Sequence, residues 1–257
     1  MESIGGHSKA CCNIPPIISK GYSPKGTYET LDGLKTYVTG PESAKLAILV
    51  IYDIFGYFPQ TIQGADILAT SDEKHQYQVF MPDFFEGNPA DIAWYPPVTE
   101  EKKNALYEWF PSHTPAIAIP RIPQIIAAVE AKYGKKNWAA LGFCWGGKVV
   151  SVTSGADSLF KVSAQCHPGL MAPEDAGKVA IPTCFLASKE ENAEEVEAYT
   201  KALTVEKHVE TFETQIHGWM SARGNLEDEE CKKEYLRAYN VVLEWFGKYI
   251  DLNSSRL

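Results

Sequence analysis

Long apolar runs are missing from this 257-residue chain. No stretch approaches the ~18 consecutive apolar residues that a membrane span needs. The first twenty residues lack the basic-then-apolar pattern of a secretory signal. Positive charge is short too: 24 Lys and Arg against 33 Asp and Glu leave a formal net charge of −9. No basic patch of the kind that grips nucleic acid stands out. Cysteine is sparse, with six residues. That is too few for a disulfide scaffold, so reduced thiols in a cytosolic compartment are expected. Walker-type phosphate loops, His-x-x-x-His metal pairs, internal repeats and low-complexity tracts are also absent. Nucleic-acid and membrane partners are therefore not expected.

What remains is a hydrophobic fraction of 45% with 12% aromatics, enough for one sizeable core. A single large α/β domain is a common solution at this length. Residues 1–25 read as an extended arm, 26–250 as the domain and 251–257 as a tail. In the arm, Cys11-Cys12 is either a redox or metal element or two small residues of a leader. Neither a Cys-x-x-Cys nor a nearby histidine completes a metal set.

Residues 26–39 predict a β-hairpin turning at Asp32-Gly33. The unbroken apolar run 46–52 predicts a strand covered on both faces of a parallel sheet. Further strands are expected over 77–81, 138–141, 161–167, 181–187 and, as an outer alternating strand, 209–215. Helices are expected over 59–71, 100–109, 121–133, from about Gly147, up to about Thr204, and over 227–248. Residues 84–115 carry Trp94, Tyr95 and Trp109 and have the composition of a cap or rim over a pocket. They suggest an apolar or aromatic ligand. Alternating strands and helices argue a mostly parallel sheet with helices on both faces, entered through an antiparallel hairpin.

The centre of the chain is Gly142-Phe143-Cys144-Trp145-Gly146-Gly147, a sharp turn between a strand and a helix. A nucleophile on such a turn needs glycines two residues before and after it, because side chains there would collide. The N-terminus of the following helix favours a thiolate. A buried cysteine in a glycine-rich turn would satisfy the same short pattern, so context decides. Sites in parallel sheets form at the carboxyl ends of strands. Asp53-Ile54, Cys144, Glu190-Glu191 and His217 all stand at such ends.

A thiol nucleophile needs a base, and the base needs an orienting acid. Cys144, Glu190 or Glu191, and His217 follow the nucleophile, acid, histidine order of α/β-hydrolase folds. Glu191 leads as the acid because it falls nine residues after Pro182. Glu190 is the reserve, and either could instead be a first-turn carboxylate of the next helix. Backbone amides of Ile54 and Trp145 are the candidate oxyanion donors. Asp53 either holds the thiol or substrate, or ends its strand. His167 lines the pocket or is a structural histidine. Arg223 binds a substrate carboxylate or makes a surface ion pair. Cys166 and Cys184 read as core.

With these residues in view, the sequence from about Tyr28 to Phe246 resembles the dienelactone hydrolase family. The resemblance is carried by Tyr52-Asp53-Ile54-Phe55-Gly56, Met81-Pro82-Asp83-Phe84-Phe85, the Gly142–Gly147 segment, His167-Pro168, and His217-Gly218-Trp219 with Arg223. The arm resembles that of fungal members. The resemblance implies an α/β-hydrolase fold and cofactor-free hydrolysis of small esters or lactones such as dienelactone. It implies Cys144 as nucleophile, His217 as base, Glu191 as acid and the amides of Ile54 and Trp145 as the oxyanion hole. Asp53 stands where bacterial members have a glutamate that accepts the thiol's hydrogen bond. Two departures are a glutamate acid in place of the usual aspartate, and Glu86 where a second substrate-binding arginine would be expected. Glu86 would repel a dicarboxylate, which favours a less anionic ester, lactone or thioester. A monomer or homodimer fits this reading. A non-catalytic ligand-binding relative and a thiol redox sensor remain the alternatives.

Overall fold

The computed structural model describes residues 20–250 apart from 71, 73, 74 and 96. The Cys11-Cys12 pair, most of the arm and the 251–257 tail lie outside the described residues. The chain opens with a hairpin, β1 (Thr27–Leu31) and β2 (Leu34–Thr39), followed by β3 (Leu46–Ile51), α1 (Pro59–Thr70) and β4 (Tyr77–Pro82). Next come α2 (Glu100–Trp109), α3 (Ile122–Tyr133), β5 (Asn137–Phe143), α4 (Trp145–Thr153) and β6 (Val162–Cys166). The last part holds α5 (Pro173–Ala176), β7 (Thr183–Ser188), α6 (Ala193–Ala202), β8 (Lys207–Phe212) and α7 (Glu229–Tyr249).

The strands form one sheet in the order β1-β2-β4-β3-β5-β6-β7-β8. β2 pairs antiparallel with β1 and β4, and the pairings from β4 through β8 are parallel. The hairpin turns as expected: Asp32 and Gly33 both have positive φ, 48° and 76°, the backbone of a tight two-residue turn. β3, β6 and β7 are buried at every position, so both faces of the sheet are covered. β8 alternates toward exposure, as an outer strand does. Within the parallel part the sheet's carboxyl ends fall along one edge, because β3, β5, β6, β7 and β8 run side by side in one direction.

Packing then fixes that edge. α7 sits with Tyr235, Tyr239, Val242 and Phe246 buried, the spacing of one helical face. The Tyr239 hydroxyl donates to the Met220 carbonyl at 2.9 Å, so α7 holds the loop after β8. Residues 20–25 dock on α1. The Tyr22 hydroxyl and the Lys25 amide both donate to buried Asp66, which the Tyr37 hydroxyl also engages. The end of the expected arm is thus tied to the domain.

One local reading changes. α4 begins at Trp145 rather than at about Gly147, because the helix starts directly from the strained residue before it. Between α2 and α3 the chain makes short 3-10 turns at Phe110–Ser112, Pro115–Ile117 and Ile119–Arg121. Each has a proline in its first two positions, which starts a turn and denies the next one a donor. No helix among the described residues is long and apolar enough to cross a membrane.

Candidate active site

Cys144 sits between β5 and α4 at φ 50° and ψ −106°, a conformation that costs a non-glycine residue of order 1–3 kcal/mol. Its surroundings impose it. The Cys144 amide donates to the Cys166 carbonyl at 3.2 Å, and the Cys144 carbonyl accepts from Gly147 and Gly169 amides, each at 3.0 Å. The glycines are required as the sequence implied. A Cβ on Gly142 would lie 2.2 Å from the Gly146 carbonyl oxygen, and one on Gly146 would lie 2.1 Å from the Ile51 oxygen. The second contact presses the elbow against the end of β3. β3 and β5 pair with Ile51 opposite Gly142. Asp53 and Ile54 therefore come level with Cys144 and Trp145.

The histidine and its acid come from β8 and β7. His217 is 2% exposed, and its Nδ1 lies 2.6 Å from Glu191 Oε1. The other Glu191 oxygen accepts the Ser188 amide. The glutamate thus folds back onto its own strand end, which takes up the methylene it has beyond aspartate. The alternative of a first-turn helix carboxylate does not hold. Asn192 caps α6 through the Glu194 and Glu195 amides, so Glu190 and Glu191 lie in the turn before the helix. A buried pair such as His217–Glu191 is costly to break, because the survivor is left uncompensated in a dry site.

Three contacts lock the His217 loop onto the neighbouring strand ends. Glu190 Oε2 accepts the His217 amide at 2.9 Å. Asp53 Oδ2 accepts the Ser221 hydroxyl at 2.6 Å and the Ala222 amide at 3.3 Å. Asp53 Oδ1 takes the Phe55 amide at 2.9 Å. Asp53 therefore does more than end its strand: it clamps its own loop to the histidine loop. His167 supplies a ring contact. Fully buried at φ 38°, it stacks on Phe143 with centroids 5.6 Å apart. Its edge meets His217 at 5.1 Å and Trp219 at 5.2 Å. Through Gly169, two residues on, its loop also binds the Cys144 carbonyl. A chain of contacts thus joins Cys144, His167, His217 and Glu191.

Arg223 is not a surface residue: it is 2% exposed. Its Nη2 lies 3.5 Å from Glu190 Oε2, and its guanidinium sits 5.7 Å from the Tyr95 ring centre. Trp145 contributes its amide at the start of α4. Its indole donates to the His113 carbonyl at 2.7 Å and packs on Phe85 at 4.8 Å, so the side chain is core. Trp109 is core as well, stacked on His113 at 4.1 Å. Of the aromatics expected to rim a pocket, Tyr95 is the one the structure brings to the Arg223 side of the site.

Glu86 departs from expectation. It is exposed and lies 3.5 Å from Arg121 Nη1. It lines a cleft with Leu34, Phe84, Phe85, His113 and Arg121, and that lining does not include Cys144, His217 or Arg223. The repulsion of a dicarboxylate by Glu86 therefore loses its geometric basis. Ser221 and the Ser188 amide were not anticipated, since no spacing rule links them to Cys144 or His217. Only the folded loop brings Ser221 to Asp53.

Three further cysteines are described. Burial pushes the Cys166 thiol well up, with Cys184 beside it adding to the shift. Burial likewise raises Cys184 and Cys231. A raised thiol pKa disfavours the thiolate, the reactive form of cysteine.

The sequence pattern of the dienelactone hydrolase family matches residues 34–250. An uncharacterized AIM2 family protein of Schizosaccharomyces pombe is 35% identical over 222 residues, covering 84% of this chain and 88% of that protein. A carboxymethylenebutenolidase homolog of Xenopus tropicalis is 27% identical over 256 residues, covering 95% of this chain and 99% of the homolog. A crystal structure of dienelactone hydrolase from Anabaena variabilis superposes with a TM-score of 0.60 at 14% identity, over 88% of this chain and 98% of the other. That likeness speaks to the α/β-hydrolase fold. With the family pattern running from the second strand through the last helix, the chain belongs to the dienelactone hydrolase family of hydrolases.

Proposed function

We propose that the protein is a cysteine-dependent carboxylic ester hydrolase acting on small esters or lactones. The observation that carries this reading is the buried His217–Glu191 pair at 2.6 Å, linked by the His167 loop to a cysteine held at φ 50° on a glycine elbow. Acyl transfer by a thiol calls for a base that an acid orients, and this pair supplies both.

In the proposed reaction each of these residues has a role. The Cys144 sulfur attacks the carbonyl carbon while His217 takes the thiol proton. The carbonyl electron pair moves onto oxygen, which the amides of Ile54 and Trp145 receive. Collapse expels the alkoxide, and His217 returns its proton to that oxygen. In a lactone the leaving alcohol stays on the acyl chain. His217 then takes a proton from water, whose oxygen attacks the thioester carbonyl; the carbon–sulfur bond breaks, the carboxylic acid leaves, and His217 returns the proton to the Cys144 sulfur. Glu191 holds the ring in the tautomer with Nδ1–H facing the carboxylate, and stabilises the imidazolium. Asp53 holds the β3 loop that bears the Ile54 amide, and His167 fixes the plane of His217. No step calls for a metal or an organic cofactor. The four described cysteines are free thiols, in keeping with a reducing, cytosolic setting.

The test is hydrolysis of a panel: an aryl acetate, a neutral enol lactone, a dienelactone and an acyl thioester, each with wild type and Cys144→Ala. Turnover by wild type alone supports the reading. Equal behaviour of the two proteins on every substrate overturns it and favours a ligand-binding relative.

A further inference from the structure

A buried arginine on the loop that carries the proposed base would ordinarily serve as a receptor for an anionic group on the substrate. Here Arg223 is already engaged. Its Nη2 faces Glu190 Oε2 at 3.5 Å, and Tyr95 covers its guanidinium plane at 5.7 Å. The same Glu190 oxygen accepts the His217 amide at 2.9 Å, so the carboxylate is held in place from two sides. The Arg223 amide donates to the Gly218 carbonyl at 3.2 Å, and its side chain packs where a Cβ on Gly218 would lie, about 3.1 Å away. Arg223 and Glu190 together brace the loop that carries His217.

The charges around that loop do not favour an anion. Asp53 and Glu191 add two buried carboxylates, and His217 offsets one of them only when protonated. The cation on the elbow helix, Lys148, is bonded to Asp175 and is likewise spoken for. Glu86, the residue first suspected of excluding anions, pairs with Arg121 elsewhere.

The geometry points to Glu190 as a specificity-determining residue: by occupying Arg223 it sets the site for uncharged acyl groups and against carboxylate-bearing ones. This deepens the hydrolase reading and rests on Cys144 being the reacting atom. Removing the Glu190 charge would release one positive charge into the site. In a partly buried setting, one charge within several ångströms changes an anion's encounter with a thiol by about tenfold. Glutamine at 190 keeps an amide oxygen for the His217 N–H, so the brace survives while the charge goes.

The test compares alkylation of Cys144 by neutral iodoacetamide and by anionic iodoacetate, with the adduct located by peptide mass mapping. In each reaction the sulfur–carbon bond forms as the carbon–iodine bond breaks and iodide leaves with the electron pair. Each rate is normalised to that of a free thiol such as N-acetylcysteine. Wild type is expected to disfavour iodoacetate relative to the free thiol by about tenfold. Glu190→Gln should raise the iodoacetate to iodoacetamide ratio by about tenfold, and Arg223→Met should lower it. The wild-type comparison needs no variant, so a variant that fails to fold leaves the test intact. A wild-type ratio equal to or above that of the free thiol overturns the proposal. So does a ratio unmoved by Glu190→Gln in a folded protein, or a Cys144 closed to both reagents. A parallel turnover assay on matched acyl esters, one ending in a carboxamide and one in a carboxylate, separates the two claims. Ratios as expected with no turnover of any ester sink the hydrolase reading and keep the charge argument. Turnover that needs Cys144 but is indifferent to Glu190→Gln does the reverse.

Discussion

Gly146→Ala isolates what the elbow demands of its backbone. In a helix an alanine is normally better than a glycine by about 1 kcal/mol, so propensity alone predicts a gain. The structure predicts a loss. The new Cβ would lie 2.1 Å from the Ile51 oxygen and 2.8 Å from the Tyr52 oxygen. Both are backbone atoms of a strand end buried on every side, so neither can swing away. α4 and β3 must separate by about 1 Å to reach ordinary contact, and overpacking of this kind costs ~1–3 kcal/mol or more. At roughly 2–4 °C per kcal/mol for a chain of this size, the melting temperature should fall by roughly 5–10 °C. Activity should suffer further. The Ile54 amide hangs from β3 and the Trp145 amide starts α4, so the separation would widen the oxyanion site proposed for these two amides, and a 1 Å misplacement can cost about 10²-fold. Gly155→Ala is the control: its Cβ meets only the Lys178 oxygen at 3.6 Å. The assay is a thermal melt of both variants beside initial rates on the best panel substrate. Gly146→Ala with wild-type melting and rate would refute the argument that β3 and the elbow are in hard contact.

Other consequences are open to the same methods. Glu191→Gln removes the charge facing His217 Nδ1 and should lower kcat by about 10²–10⁴-fold with the fold retained by circular dichroism; an unchanged kcat would make the pair structural only. Ser221→Ala deletes the hydroxyl that donates to Asp53, a buried hydrogen bond to a charged group, and should cost about 1.5–3 kcal/mol in urea unfolding. Stability within error of wild type would mean the Ala222 and Phe55 amides suffice to hold Asp53. Among the described cysteines, a maleimide should label Cys144 before Cys166 and Cys184, whose thiols burial pushes up; labelling of Cys166 or Cys184 in the folded protein at a similar rate would contradict that ordering.

Much of this architecture was legible in the residues. The apolar run of β3, the Asp32-Gly33 turn and the outer alternation of β8 are local signals, and local physics carried them through. The elbow was legible because its glycines answer a steric need within five residues. What stayed hidden depends on contacts between distant loops. Glu190 and Glu191 are neighbours of one residue type, and spacing could rank them without showing that one faces the His217 ring and the other its amide. Ser221 carries no motif, yet it is bonded to a residue 168 positions away. Arg223 read as either surface or substrate-facing, and its burial against Tyr95 and Glu190 rules out the surface reading. Glu86 failed for a related reason: its sequence position after Phe85 says nothing of the positive φ of 51° that accompanies its pairing with Arg121.

The central claim is that acyl transfer passes through Cys144. Its most direct measurement is the intact mass and peptide map of wild type and of the His217→Gln, Glu191→Gln and Cys144→Ala variants, quenched in acid during reaction with an aryl acetate. The account predicts one acyl group on Cys144 in wild type, a longer-lived adduct in His217→Gln because water is no longer activated, and none in Cys144→Ala. An acyl group on a different residue, or full turnover by Cys144→Ala, would contradict it.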